Sequence, residues 1–323
     1  MNVLSLRLMV LLAALAGAAP APAAEPNWPD HLTLGTASPG GTYYVYGGGL
    51  AKILTQALDL PVLMQPTEGP VQNIELMEKG DIQLGFVTVG VALHAWNASG
   101  VWAGRKPARA MRAIFPMYDT PFQVLVLQDS GIRSIADIAG KRVGVGPQGG
   151  TTATYAPDFF KALNVAATFV HGEWADLAAQ MHAKALDVMF VGAGVPFPSF
   201  IELEARDKVR YVPLAAGEIA ALRLALPELT PSRIPAGTYP SLLRHYQTVG
   251  LYNFAVARSS LPDDLVYAIA EAVFSGNDEL MQASHAAAET VPANFTRNTL
   301  LPFHPGAMRW YANKATAGVL YGD

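Results

Sequence analysis

Two stretches of this chain combine glycines and hydroxyls immediately ahead of a helix-like run. Gly35 to Tyr44 reads GTASPGGTYY, and Gly144 to Thr152 reads GVGPQGGTT. Each follows a short apolar segment of strand character. A strand that turns into a helix through such a loop leaves the first N–H groups of the helix without partners, and the helix dipole adds to their attraction for an anion. In the first loop Gly40 and Gly41 allow close backbone approach. Ser38 and Thr42 supply hydroxyls, while Tyr43 and Tyr44 supply aromatic walls. In the second, Gly149, Gly150, Thr151 and Thr152 repeat the arrangement with two hydroxyls at the helix start. The chemistry this predicts is the holding of a carboxylate by neutral donors. An ordinary strand-to-helix turn is the plainer account of either loop taken alone. A third loop of the ligand-facing type, Gly192-Ala193-Gly194-Val195-Pro196-Phe197-Pro198, follows the apolar run LDVMFV.

Other chemistry is thinly represented. Gly144 to Gly149 satisfies the dinucleotide pattern G-x-G-x-x-G literally, with Glu173 at roughly the distance expected of the ribose-binding acid. Pro147 stiffens that turn, and the anion-cradle reading of the same loop needs no nucleotide. Glu68 and Glu173 fit a catalytic carboxylate pair, a pair that reads a ligand amine, or solvated loop charges equally well. Trp174 fits either a cover for a ligand or packing at a helix start, and Tyr118 stands just before Asp119-Thr120-Pro121. The 7 histidines show no H-x-x-x-H or H-E-x-x-H spacing, and the absence of cysteine removes thiolate metal sites, disulfides and thiol catalysis. No G-x-S-x-G elbow marks a hydrolase nucleophile.

The elements that must position these loops can be read in order. Arg7, the apolar run Leu8 to Ala19 and a small-residue, proline-containing segment have the form of a secretory signal peptide, cleaved after Ala23 with Ala21 at −3. The run is about a dozen residues, short of the ~20 a spanning helix needs. Cleavage would remove the basic Arg7 and make the formal net charge of −4 one unit more negative. No basic cluster of the kind that tracks nucleic acid appears. Gly49 to Leu58 reads as an amphipathic helix and Pro61 to Met64 as a strand. Pro70 to Lys79, with proline at its first position and Gly80 closing it, reads as a second helix. Asp81 to Thr88 reads as a buried strand and Val89 to Asn97 as a helix. The β–α–β–α order predicts a largely parallel, doubly wound sheet. Ala113 to Tyr118 and Phe122 to Leu127 read as two strands interrupted by Asp119-Thr120-Pro121. The order then restarts with a short helix Ser134 to Ala139, a strand Arg142 to Gly146 and a second strand Ala167 to His171. Gln247 to Ala257 reads as a late apolar strand. Three closing helices follow, over Pro262 to Phe274, Asp278 to Thr290 and Pro305 to Ala317.

Several ordered segments resemble the TAXI family, the extracytoplasmic solute receptors of tripartite ATP-independent periplasmic (TRAP) transporters. They are GTASPGGTYYVYGGGLAKIL, TEGPVQNIELMEKGDIQLGFV, MYDTPFQVLVLQDSGIRSIADIAGKRVGVG and LPFHPGAMRWY. The resemblance runs from about Leu32 to Tyr311. It implies an α/β, type II periplasmic-binding-protein fold: two doubly wound lobes, two crossing segments and a ligand cleft between. Lobe 1 is then expected over residues 30–119 plus 251–323 and lobe 2 over 120–250, after the signal peptide 1–23. It also implies a periplasmic location, TRAP permease subunits as partner, and no ATPase. No cofactor, metal or catalytic residue is expected. The chain departs from the family pattern at Pro70, where serine is usual, and at Gly150-Thr151, which stands where the family's loop carries serine and glycine.

The expected ligand is a small organic anion bearing a carboxylate, of the glutamate or 2-oxoglutarate class, because N–H donors and hydroxyls suit carboxylates. The expected ligand-binding set is Thr36, Ser38, Gly41, Thr42, Tyr43, Tyr44, Glu68, Asn73, Thr88, Tyr118, Gly150, Thr151, Thr152, Trp174, Gly192 and Gly194. A periplasmic sensor for a signalling partner and an enzyme on the same fold are the competing classes.

Overall fold

The computed structural model describes residues 27–298 and 300–316. The expected signal segment lies outside them, as does the chain beyond Thr316. Among the described residues no helix is long and apolar enough to cross a membrane.

Strands β1 (Leu32–Gly35), β2 (Val62–Gln65) and β3 (Leu84–Thr88) are parallel, with β1 in the middle. Helices α1 (Thr42–Leu58), α2 (Pro70–Lys79) and α3 (Val89–Asn97) follow them in turn. Helix α1 starts well before the Gly49 expected from the sequence. Tyr43, Tyr46, Leu50, Ile53 and Leu54 form one continuous buried face, and three consecutive glycines within it disguise the amphipathic pattern. Gly47 is required there, because a Cβ would overlap the methyl of Thr36 below.

Two long strands run through the centre of the sheet. Strand β4 spans Met111–Leu127, and β10 spans Tyr246–Arg258. The strand order is β2-β1-β3-β10-β4-β7-β5-β6, with β5 at Arg142–Gly146, β6 at Thr168–His171 and β7 at Val188–Gly192. Both long strands serve both halves of the sheet. Asn253 to Ala257 of β10 pair with β3, whereas Tyr246 to Gly250 pair with β9 (Thr230–Ile234). Phe122 to Leu125 of β4 pair with β7, and Leu125 to Leu127 with β8 (Val209–Tyr211). Helices α4 (Thr151–Ala162), α5 (Trp174–His182), α6 (Pro198–Glu204) and α7 (Ala216–Ala225) belong to the second half. Helices α8 (Asp263–Ser275), α9 (Asn277–Ala283) and α10 (Pro305–Thr316) return to the first, where Trp310 and Tyr311 join the core under α1.

Three expectations are corrected. β4 is one strand, not two separated by Asp119-Thr120-Pro121. The expected break is bridged because the Asp119 carboxylate accepts from the Thr120 N–H at 2.9 Å and from the Ser232 hydroxyl, while β10 continues the ladder past it. That ladder shifts register between Tyr252 and Phe254, which oppose Asp119 and Pro116 respectively. The second closing helix ends at Ala283, and His285–Glu289 forms a 3-10 turn instead. The Thr290 hydroxyl donates to the Met117 carbonyl of β4, a tertiary tie that overrides local helix propensity. Finally, β9 lies where the sequence suggested no strand; its alternating Ser232 and Ile234 face the core.

Candidate functional site

The loops after β1, β2, β5 and β7 meet at the carboxyl ends of their strands. They enclose a cavity that leaves about 50 Å³ for the centres of water molecules, enough for one small ligand. Helix α1 enters from the first half with Gly41 as its N-cap, and α4 enters from the second with Gly150. Neither cap residue contributes a side chain, so the leading N–H groups of both helices lie beyond any intrahelical acceptor. Two helix dipoles therefore present their positive ends to one space.

Of the expected ligand-binding residues, Gly41, Thr42, Tyr43, Glu68, Tyr118, Gly150, Thr151, Thr152, Trp174, Gly192 and Gly194 line this cavity. Thr36, Ser38, Tyr44, Asn73 and Thr88 do not. Asn73 is a strut. Its Nδ2 donates to the carbonyls of Thr36 (2.9 Å) and Phe86 (3.0 Å), and its Oδ1 accepts from Thr67 Oγ1 (2.8 Å). It thereby joins the ends of β1, β2 and β3, and Gly35 gives it room, since a Cβ there would lie 2.6 Å from Asn73 Oδ1. The Thr36 hydroxyl is turned to the Gln65 carbonyl at 3.2 Å. Ser38 is buried with an unpartnered hydroxyl away from the cavity wall, and Tyr44 is half-buried outside it. Thr88 sits one layer back, its hydroxyl 3.3 Å from that of Thr151.

Thr120 and Asn253 line the wall although neither was anticipated as ligand-facing, and Ala37, Gly69, Pro70, Ala193 and Phe197 join it from the loops already named. Asn253 carried a usable signal, as the one amide inside the apolar strand GLYNFAVA. It is fully buried. Its Oδ1 accepts from the Tyr43 hydroxyl at 2.6 Å, and its Nδ2 donates to the Tyr118 carbonyl at 2.7 Å and to the Thr120 hydroxyl.

The donors that remain free can be identified. Thr152 Oγ1 accepts from the Gly192 N–H at 2.8 Å, which leaves its own proton available. The Tyr118 hydroxyl is buried without a partner, in a side chain only 1% exposed. Burial, with Tyr43 and Tyr46 alongside, pushes it well above its ordinary pKa, so it stays a neutral donor. No Lys, Arg or His is among the lining residues, and the one ionisable acid is Glu68. Glu68 is exposed at the rim, where its Oε2 accepts from the Gly149 N–H at 3.0 Å.

The two halves touch around this space. Thr42 Oγ1 donates to the Gly194 carbonyl (2.8 Å), Ser199 Oγ to the Gly40 carbonyl (3.0 Å) and the Val71 N–H to the Gly149 carbonyl (3.1 Å). Trp174 closes the wall between Gly41 and Gly146 and packs edge-on against Phe197, 5.2 Å between centroids. Gly146 has a φ of +78°, and a Cβ there would strike the indole. Gly146, the middle glycine of the run that imitates a dinucleotide motif, thus serves to seat Trp174, while Gly144 makes room for Leu186 and Gly149 for Glu68; Glu173 beside Trp174 is an exposed N-cap.

Beneath the wall, burial raises the Asp119 carboxyl, against the Ser232 hydroxyl, the Thr120 N–H and the Arg297 charge. Its folded pKa therefore lies above the unfolded value. The folded chain binds that proton more tightly, and stability rises as pH falls through the folded pKa. Asp119→Asn keeps an acceptor and removes the charge. It is expected to raise the thermal midpoint by a few degrees at neutral pH, and by progressively less as pH is lowered, because the native acid takes up its proton before the unfolded one does. Thermal melts of both proteins across pH check this; an equal or lower midpoint for the variant at neutral pH rejects it.

Comparison with known proteins places this geometry in context. A family model described as the NMT1-like family matches residues 34–314. Among solved structures, a protein described as a periplasmic transporter is 16% identical, with a TM-score of 0.58, over 88% of this chain and 95% of that one. MatC (Rpa3494) from Rhodopseudomonas palustris, with bound malate, is 14% identical with a TM-score of 0.59 over 87% and 98%. The periplasmic binding protein BugD is 13% identical with a TM-score of 0.59 over 90% and 99%. At such identities the likeness is one of fold, and it agrees with the mixed α/β architecture described above.

Proposed function

We propose, from the premise that this chain belongs to the NMT1-like family, that it is an extracytoplasmic solute-binding protein. It captures a small carboxylate-bearing anion of the glutamate or 2-oxoglutarate class and delivers it to a membrane permease of the TRAP type. The carrying observation is the cavity itself: two helix N-termini and the Thr152 hydroxyl converge on a space lined by no cation, with Tyr118, whose hydroxyl has no partner, in its wall. Neutral donors and dipoles of this kind hold a carboxylate without a counter-charge. The malate bound to MatC, a protein of the same fold, is in keeping with that chemistry. The two halves act as lobes, residues 30–119 with 251–323 and residues 120–250, that separate to admit the anion. They close on it with the contacts Thr42–Gly194, Gly40–Ser199 and Val71–Gly149, so binding energy shifts an open–closed equilibrium.

Mass spectrometry of small molecules released from the purified protein tests the reading, followed by calorimetric titration with L-glutamate, 2-oxoglutarate and L-malate. Binding of a cation or of an uncharged sugar in place of any organic acid rejects it. A Tyr118→Phe variant gives a sharper test. It is expected to weaken binding of the acid by about 1.5–3 kcal/mol, the value of one hydrogen bond to a charged group. The ligand-free melting temperature stays level or rises, because a buried hydroxyl without a partner is removed. Undiminished affinity would mean that this hydroxyl does not meet the ligand.

A further inference from the structure

The two long strands are hydrogen-bonded to each other along most of their common length, with register shifts at two places, between Ala255 and Val256 and between Tyr252 and Phe254; the second borders the cavity. Tyr252 opposes Asp119 and Phe254 opposes Pro116, so Asn253 alone stands against Met117 and Tyr118. Two residues against one is a β-bulge, which bends the strand and interrupts its ladder. The break lies on β4 just before Asp119 to Pro121, which still pair with β10, and ahead of Phe122, where pairing with β7 begins. Asn253 spans it. One amide hydrogen goes to the Tyr118 carbonyl and the other to the Thr120 hydroxyl, so the side chain grips β4 at two points within the bent stretch. Its oxygen takes the Tyr43 hydroxyl from the first turn of α1, the helix end that faces the cavity. All four residues line that cavity.

We infer that the bulge at Asn253 is the hinge of this protein, and that Asn253 is a positioning residue that holds β4 in its closed bend and ties that bend to the helix end meeting the ligand. The inference rests on the reading that the halves open and close. It adds the location of the hinge and the side chain that sets its equilibrium. Asn253 satisfies all three of its polar hydrogen-bond capacities used here only when Tyr43, Tyr118 and Thr120 are brought together. Opening that carries Thr120 away from Tyr118 leaves a buried amide unpaired, which favours the bent form. A carboxylate that draws Tyr43 and Tyr118 inward acts on the same amide.

The chain has no cysteine, so labels can be placed singly. Spin labels at Gln56→Cys on α1 and Lys161→Cys on α4, both exposed, report the distance between the halves by pulsed electron resonance. Asn253→Leu is near-isosteric and removes the three bonds. Relative to the parent it is expected to lower the ratio of short to long distances about tenfold without added ligand. Affinity for whichever of L-glutamate, 2-oxoglutarate and L-malate binds the parent falls by a similar factor. Tyr43→Phe moves both readouts in the same direction by less, and adding it to Asn253→Leu changes nothing further, because the two act through one bond. If Asn253→Leu does not fold, Thr120→Val, which removes only the far grip, is measured in its place with the same expectation. Distances unchanged in a folded Asn253→Leu or Thr120→Val overturn the inference, as do additive effects of Tyr43→Phe. A single distance under every condition overturns the closing cleft along with it. A shifted distance ratio with none of the three acids bound supports the hinge while rejecting the carboxylate reading.

Discussion

Replacing Thr151 and Thr152 together by alanine is expected to weaken binding of the captured acid by roughly 2–5 kcal/mol, a factor of tens to thousands in affinity. Both hydroxyls lie on the cavity wall with protons to give. Thr152 accepts from Gly192, and the Thr88 hydroxyl can donate to Thr151. Each hydrogen bond to a charged group contributes about 1.5–3 kcal/mol. The substitution keeps the backbone N–H groups and the helix dipole, so binding is reduced rather than abolished. Neither hydroxyl caps α4: its N-cap is Gly150, whose carbonyl is taken by the Thr154 N–H and hydroxyl. The folded state loses chiefly the acceptor for the Gly192 N–H, on the order of 1 kcal/mol. Calorimetric titration against thermal melts separates the two effects. Full affinity with a lowered midpoint would place the anion at the α1 end, on Gly41 to Tyr43, instead.

Asn73→Ala should do the reverse, costing stability far more than affinity. The side chain is buried and makes three hydrogen bonds that join the ends of β1, β2 and β3. Its removal leaves the Phe86 carbonyl without that donor, at about 1–3 kcal/mol, loses the bonds to the Thr36 carbonyl and the Thr67 hydroxyl, which still hold each other, and opens a small void as well. A loss of about 3–5 kcal/mol corresponds to a fall in melting temperature on the order of 10 °C for a chain of this size. Measured well below that midpoint, affinity should fall less than tenfold. An unchanged midpoint together with lost binding would make Asn73 a ligand contact after all.

The contrast between these two sites shows what is legible in the residues. Glycine beside hydroxyl at a strand-to-helix turn is a local pattern, and it pointed to Thr42, Thr151 and Thr152, which the fold brings to one wall. The parallel β–α order was readable for the same reason, since each strand and helix declares its own period. Asn73 looks no different in the sequence from a ligand-binding amide. Only the packing of three strand ends around it distinguishes strut from contact. Tertiary bonds likewise decided that β4 runs through Asp119-Thr120-Pro121 and that Ser284 interrupts the second closing helix. Trp174 was open to both readings, and it both packs and lines the cavity, so the alternatives did not exclude each other. Asn253 is paired with residues more than a hundred positions away, and no local period reports such a bond.

The place of β10 in the sheet also sets an order of events in folding. It lies between β3 and β4, yet it is the last strand among the described residues. Until Tyr246 to Arg258 has been synthesised, β3 has a bare edge and β4 lacks its principal partner. Contacts of such long sequence separation form slowly, because a large loop must close before they contribute. The segment between β4 and β10 carries its own parallel strands β5, β6 and β7 and can collapse first. The opening strands must wait for the far end of the chain. A chain that ends before Tyr246 therefore cannot complete its central sheet, and it is the late strand that joins the first three strands to the rest.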